Sequence, residues 1–283
     1  MSMPFGSITY PLLRRITKSG STTTVAYLTV CLDLVVASQK GAHFTNDSEL
    51  HIISQGDTRF ANVDVTTTSG MERAGRQGLV QSGLVDFVAS GKLLEAAEHI
   101  YNHKYRGRLF SVFRHPVERM VSMKEYLAKA TWERLYDPNL ANMTMAQYIT
   151  NKNPMNNPIT RQLVNKQSKY VTLLPEDLIL AKEILRRKCL VGLVDHLEES
   201  LFRFQQYFAW KGKDYKWDGK EISQSECRQL YLIGGRNRNP HETIEPESEV
   251  WGIIKHFNEY DVSLYGYIVE LFHQQSVLFP SHY

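Results

Sequence analysis

The chain alternates short apolar runs with amphipathic stretches, and no other feature limits its possible folds so strongly. Residues 8–16, 60–66, 84–89, 108–113 and 189–194 read as strands. Residues 23–37, 69–79, 92–101, 175–185 and 195–210 read as helices, with apolar positions recurring at three and four. Pro116 suits the first turn of a further helix after residue 113. Residues 250–274 form a last helical region, broken near 258–261. Strand–helix alternation of this kind argues for an α/β fold, a mostly parallel central sheet flanked by helices. At 283 residues we expect a single α/β domain over 1–283, with two domains as the alternative. Residues 137–166, rich in Asn and Pro, interrupt the pattern and read as an irregular lid or a pair of short helices. Residues 211–220 and 234–246 read as polar loops.

Composition removes several function classes. With 42% apolar and 22% charged residues the chain is an ordinary globular one, so a disordered tail, a collagen or a disulfide mini-domain is excluded. The three cysteines, Cys31, Cys189 and Cys227, are too few and too scattered for a disulfide framework or a Cys-based zinc site. A net charge of +3 is too mild for a nucleic-acid binder, but it leaves room for a local anion site. No run of about 18 apolar residues is present, so no membrane contact is expected from this chain. The first residues lack a signal peptide's basic and apolar regions. The chain as given therefore reads as cytoplasmic or otherwise soluble, with the Golgi lumen as the alternative if an anchor has been trimmed. Two glycosylation sequons, at Asn46 and Asn142, are no more than chance supplies. His99 and His103 stand four apart on an expected helix, but no H-E-x-x-H accompanies them and no metal is expected.

Two segments carry chemistry. Lys18, Ser19, Gly20, Ser21, Thr22 and Thr23 lie between an expected strand and an expected helix. A glycine permits close backbone approach, and a helix start offers unpaired N–H groups and a positive dipole end. The hydroxyls and the Lys18 charge complete a cradle for a phosphate or sulfate. A plain Ser/Thr-capped helix is the alternative. The Walker A pattern G-x-x-x-x-G-K-[ST] is absent. The second segment is Arg114-His-Pro-Val-Glu-Arg-Met-Val-Ser122, again where a strand gives way to a helix. Arg114 and Ser122 suit a second phosphate, with the guanidinium forked onto its oxygens. Ordinary surface pairing of Arg114 is the alternative, and His115 shapes the turn. Two anion sites at the carboxyl ends of neighbouring parallel strands suit a nucleotide with phosphates at both ends.

These residues resemble a known family. Lys18-Ser-Gly-Ser-Thr-Thr23 resembles the 5′-phosphosulfate loop of sulfotransferases, and the second segment resembles their 3′-phosphate motif R-x-P-x-x-R-x-x-S. Three later segments resemble the carbohydrate (Golgi-like) branch. They are Asn157-Pro-Ile-Thr-Arg-Gln-Leu163, Val191-Gly-Leu-Val-Asp-His-Leu-Glu-Glu-Ser-Leu201 and Tyr260-Asp-Val-Ser-Leu-Tyr-Gly-Tyr267. The resemblance spans roughly residues 8–275 and implies a P-loop-like sulfotransferase fold. It implies an enzyme that moves the sulfuryl group of 3′-phosphoadenosine 5′-phosphosulfate (PAPS) to a hydroxyl or amine, releasing PAP. Lys18 would stabilise the leaving oxygen, residues Ser19, Gly20, Ser21, Thr22 and Thr23 would hold the 5′-phosphate, and Arg114 and Ser122 the 3′-phosphate. In the family a late loop often covers the nucleotide, and Arg236 and Asn237 have the right composition and place for it.

Sulfuryl transfer also needs a general base for the acceptor proton. The strand at 84–89 ends in Ser90-Gly-Lys92, without the His some relatives use. Asp64 is the first candidate, followed by Glu72 and His43. The acceptor is a glycan or a small metabolite. Residues 131–170 are expected to shape its pocket, with Trp132, Tyr136, Tyr148 and Arg161 available to bind it. A P-loop kinase or NTPase, and a non-catalytic nucleotide-binding protein of the same fold, are the competing readings.

Overall fold

The computed structural model describes residues 9–44, 48–212, 215–217, 220–233 and 244–279. Seven strands form one sheet: β1 (Thr9–Arg14), β2 (Val36–Ala37), β3 (Ile52–Gln55), β4 (Thr58–Ala61), β5 (Phe87–Ser90), β6 (Arg106–Phe113) and β7 (Cys189–Leu193). Their order is β3-β4-β2-β5-β1-β6-β7, parallel throughout except for the β3–β4 hairpin at one edge. The α/β architecture expected from the alternation is present.

The sheet is buried on both faces, as a parallel sheet must be. Side chains alternate along each strand. Leu12, Val88, Leu109 and Val191 therefore enter one core, while Leu13, Phe87, Phe110 and Leu190 enter the other. The first core is covered by α2 (Thr68–Arg76), α3 (Leu93–His99), α6 (Pro158–Leu163), α7 (Pro175–Lys188) and α11 (Glu259–Gln274). The second is covered by α1 (Ser21–Ala26), α8 (Leu197–Tyr207) and α9 (Gln224–Ile233). A third, smaller cluster joins α4 (Pro116–Leu127), α5 (Met145–Gln147) and α10 (Glu249–Phe257) around Val117, Met120, Tyr148 and Ile254.

Three expectations change. The helix expected over 23–37 stops early: α1 passes into a π-helical turn, Tyr27–Cys31, and the chain turns at Asp33, which has positive φ. That frees Val36 and Ala37 to pair with β4 and β5. The polar loop expected at 211–220 contains a two-stranded ribbon, β8 (Tyr215–Trp217) and β9 (Lys220–Ile222). The cysteine count gave no reason to expect a bridge, yet Cys31 and Cys227 form a disulfide with Cα atoms 5.7 Å apart. It ties the π turn to α9. Cys189 stays a buried thiol, pushed up to about 12 by burial. Among the described residues no helix is long and apolar enough to cross a membrane.

The three later segments lock the fold. Asn157, Thr160 and Asp261 meet in the interior. Asp261 accepts hydrogen bonds from the Ile159 and Thr160 N–H groups and the Thr160 hydroxyl at 2.8–3.0 Å, while Asn157 accepts from the Asp261 N–H. Gly192 lets α8 lie close on β7, because a Cβ there would stand 2.8 Å from Phe204 and Ser200. The Ser200 hydroxyl donates to the His196 carbonyl and accepts from the Leu193 N–H.

Candidate functional site

β1 and β6 are neighbours, so the loops leaving their carboxyl ends share one edge of the sheet. After β1 the backbone makes two left-handed turns, at Lys18 (φ 65°) and Gly20 (φ 69°). Glycine adopts that conformation without strain, whereas lysine adopts it at a cost. Gly20 is the N-cap of α1 and supplies no side-chain hydrogen bond, so the first-turn N–H groups have no side-chain cap. The Ser21 hydroxyl donates to the Ile16 carbonyl, and the Thr24 hydroxyl to the Gly20 carbonyl. Ser19 differs from them: its hydroxyl is fully buried and has no partner among the described residues. An orphaned buried hydroxyl beside an uncapped helix start fits an anionic ligand, whose oxygens would satisfy both.

The second segment begins where β6 ends. His115 caps α4 by accepting from the Val117 N–H, and Pro116 opens the helix, as the sequence suggested. The His115 ring stacks on Trp251 at 4.8 Å, which fixes the turn. Arg114 is largely buried and pairs with Glu118 at 3.2 Å. Ser122 is buried two turns into α4. Burial first, and the Arg114 charge second, hold the Lys18 pKa below the usual lysine range. Arg114 and Lys18 leave the carboxyl ends of neighbouring strands. The Lys18 ammonium rests 4.5 Å above the Tyr126 ring and makes no hydrogen bond or ion pair among the described residues.

The base candidates differ in setting. Asp64 follows β4 at the same sheet edge, where its Oδ1 accepts from the Thr66 N–H at 2.8 Å and the Thr66 hydroxyl at 2.6 Å. The next carbonyl, of Val65, accepts from the Ser90 hydroxyl at the end of β5, which brings this segment towards β1. Glu72 is exposed on α2 and lies 3.8 Å from Arg76, and His43 is exposed on the turn Gln39–Phe44. Arg236 and Asn237 lie outside the described residues, as does Asn46.

Arg161 is 3% exposed, and its guanidinium is spent inside the protein. It donates to the carbonyls of Asn156, Ser168 and Val171 at 2.6–3.0 Å and also reaches the Asn156 side chain and the Lys166 carbonyl. It staples the connection between α6 and α7, and we carry no substrate contact for it.

A cavity of about 460 Å³ opens beside the Lys18 loop. One face of α4 (Arg119, Met120, Met123, Tyr126, Leu127) forms a wall, and Thr17 forms part of the rim towards Lys18. Residues 133–135, Tyr148, Pro154, Met155 and Pro158 close it, and Asn258 contributes at the start of α11. Glu133 accepts from the Tyr126 hydroxyl at 2.6 Å. The sequence reading named Tyr148 for the acceptor pocket but not Tyr126, Glu133 or Arg119, the last of which it met only within the second motif. Their spacing on and after α4 was the available signal. Among the described residues no three His, Cys, Asp or Glu side chains gather as a metal cage.

No family model and no curated protein matches this chain. Among solved structures, the crystal structure of a sulfotransferase from Alicyclobacillus acidocaldarius superimposes over 94% of this chain and 96% of its own, with 16% identity and a TM-score of 0.43. That superposition is too loose to assign a residue or an activity.

Proposed function

We propose that this chain is a PAPS-dependent sulfotransferase. One observation carries the reading: two basic segments that resemble the two phosphate motifs of that family leave the carboxyl ends of adjacent parallel strands. Donor PAPS supplies the activated sulfuryl group. Ser19, Gly20, Ser21, Thr22 and Thr23 hold its 5′-phosphate with backbone N–H groups and hydroxyls, and the Ser19 hydroxyl gains its missing partner. Arg114 and Ser122 take the 3′-phosphate, which requires Arg114 to turn from Glu118. Lys18 sits where negative charge grows on the leaving oxygen.

The acceptor oxygen forms the new S–O bond as the bond to the 5′-phosphate oxygen breaks, giving PAP and a sulfated acceptor. The acceptor proton goes to a carboxylate. We assign that role to Asp64, with Glu133 in the cavity wall as its competitor. Catalysis rests on positioning and charge stabilisation, as in phosphoryl transfer. Of the compartments open to the chain, an oxidising lumen suits the Cys31–Cys227 bond better than the cytosol does.

Calorimetric titration with PAP, and mass-spectrometric detection of sulfate transfer from PAPS, test the reading. Arg114→Ala is expected to weaken PAP binding by about 2–4 kcal/mol, the scale of a lost buried charge-assisted contact. Unchanged PAP affinity in that variant would remove the assigned phosphate grip.

A further inference from the structure

Arg119 lines the cavity and is 7% exposed, and its guanidinium has neither a hydrogen bond nor an ion pair among the described residues. Its Nε is wholly buried and unpartnered. Leaving a guanidinium in this condition is costly, because a buried charge is stable only when paired and hydrogen-bonded. Burial holds the Arg119 pKa below its usual range, while Asp261 first and Tyr148 second push the other way. Both Asp261 oxygens are already taken, by Ile159 and by Thr160. Arg14, buried at the end of β1, lies within the field of Arg119 and keeps two unpartnered nitrogens of its own. Its one close side-chain acceptor is Gln162, at 2.6 Å. Two interior cations thus face one committed carboxylate, and the excess positive charge borders an open space.

Apart from Arg119, the polar residues of the lining are Thr17, Tyr126, Glu133, Tyr148, Asn258 and the exposed Arg134, and the remaining wall is apolar. Met120, Met123, Leu127 and Met155 line it, and Leu135, 66% exposed, stands at its mouth. A sugar needs a donor or acceptor for each hydroxyl. Here the Glu133 carboxylate is engaged by Tyr126, and Asn258 by Asn157, Ile254 and Met120. The volume suits a compact small molecule.

We propose that the cavity binds a hydroxylated acceptor with an apolar body and a carboxylate, the carboxylate seated on Arg119 and the hydroxyl turned towards Thr17 and Lys18. The inference rests on the sulfotransferase reading for the fate of the hydroxyl, but the anion hook is a property of the cavity alone. It replaces the glycan with a small hydroxy acid as acceptor class. Guanidinium and carboxylate match as forked partners, and the sulfur-rich wall adapts to an aliphatic or aromatic body.

A matched probe pair tests this: para-hydroxyphenylpropanoate and its uncharged methyl ester, titrated calorimetrically with and without PAP. The wild-type chain should bind the acid roughly tenfold or more tightly than the ester. Arg119→Met should level the two with PAP affinity unchanged, and Arg119→Lys should keep part of the preference. Met123→Trp, which fills the cavity, should remove binding of both probes while PAP still binds. Equal wild-type affinity for the two probes, absence of measurable binding included, overturns the proposal, as does an acid preference that survives Arg119→Met or Met123→Trp. Loss of PAP binding in the wild type, with the acid preference intact, would instead sink the donor reading and leave the hook standing.

Discussion

Arg161 and Arg119 are buried to nearly the same depth, in adjoining parts of the molecule, and differ in what their charge does. Arg161 gives its guanidinium to the carbonyls of the connection that follows α6. Arg119, on the cavity face of α4, gives its guanidinium to nothing among the described residues. Burial alone therefore does not separate a structural cation from a functional one; the tally of donors spent does. Lys18, resting on an aromatic ring without an ion pair, belongs with Arg119.

The largest effect expected from this contrast is on stability. Arg161→Met should cost about 3–5 kcal/mol, since three carbonyls and the Asn156 side chain lose one charged donor together. Denaturant unfolding checks it, and PAP affinity of the folded fraction should not move. A variant of full stability with weakened acceptor binding would break the contrast. Next in size is Lys18→Ala. Its kcat should fall roughly 100- to 1000-fold, as when one oxyanion donor is lost, with a much smaller change in PAP affinity, because an unspent charge acts most as the leaving oxygen develops. Equal losses in single-turnover rate and PAP binding would make Lys18 a mere ligand contact.

A third test separates the carboxylates. Asp64→Asn should lower kcat roughly 100-fold with little change in PAP affinity, while Glu133→Gln, which disturbs only Tyr126, should leave kcat nearly unchanged. The reverse result would move the base into the cavity wall. The smallest effect is electrostatic. Arg114 is the second cause holding the Lys18 pKa down. Removing a like charge favours the ammonium, so Arg114→Ala should raise the Lys18 pKa in the ligand-free protein, as read by NMR titration of the lysine. A fall would mean that the two charges do not share a space.

Much of the architecture was legible because local pattern decided it. The runs ending at Leu13, Phe113 and Leu193 are mostly apolar, as doubly buried strands are, and Pro116 marked the start of α4. Val36 and Ala37 were hidden in an apolar run long enough to pass for helix, where periodicity cannot choose. The β3–β4 hairpin announced itself by Gly56 and Asp57, a turn signal the sequence reading passed over. The anion loops were readable because each is contiguous in sequence. The cavity was not, because its walls come from α4, residues 133–158 and Asn258, and only packing unites them. Arg161 shows the same limit: an arginine in an Asn-rich stretch looks available until its carbonyl partners are seen.

The link between Cys31 and Cys227 spans 196 residues of chain. In the chain-entropy view a closure of that length is worth about 5 kcal/mol, comparable to the net stability of many domains. The bond fastens the end of the helical run that starts at the anion loop to α9, from which the chain leads on towards Arg236 and Asn237. Handling this protein with dithiothreitol would thus unfasten the helical run that follows Gly20 from α9, and assays run with and without reductant would amount to assays of two differently braced molecules.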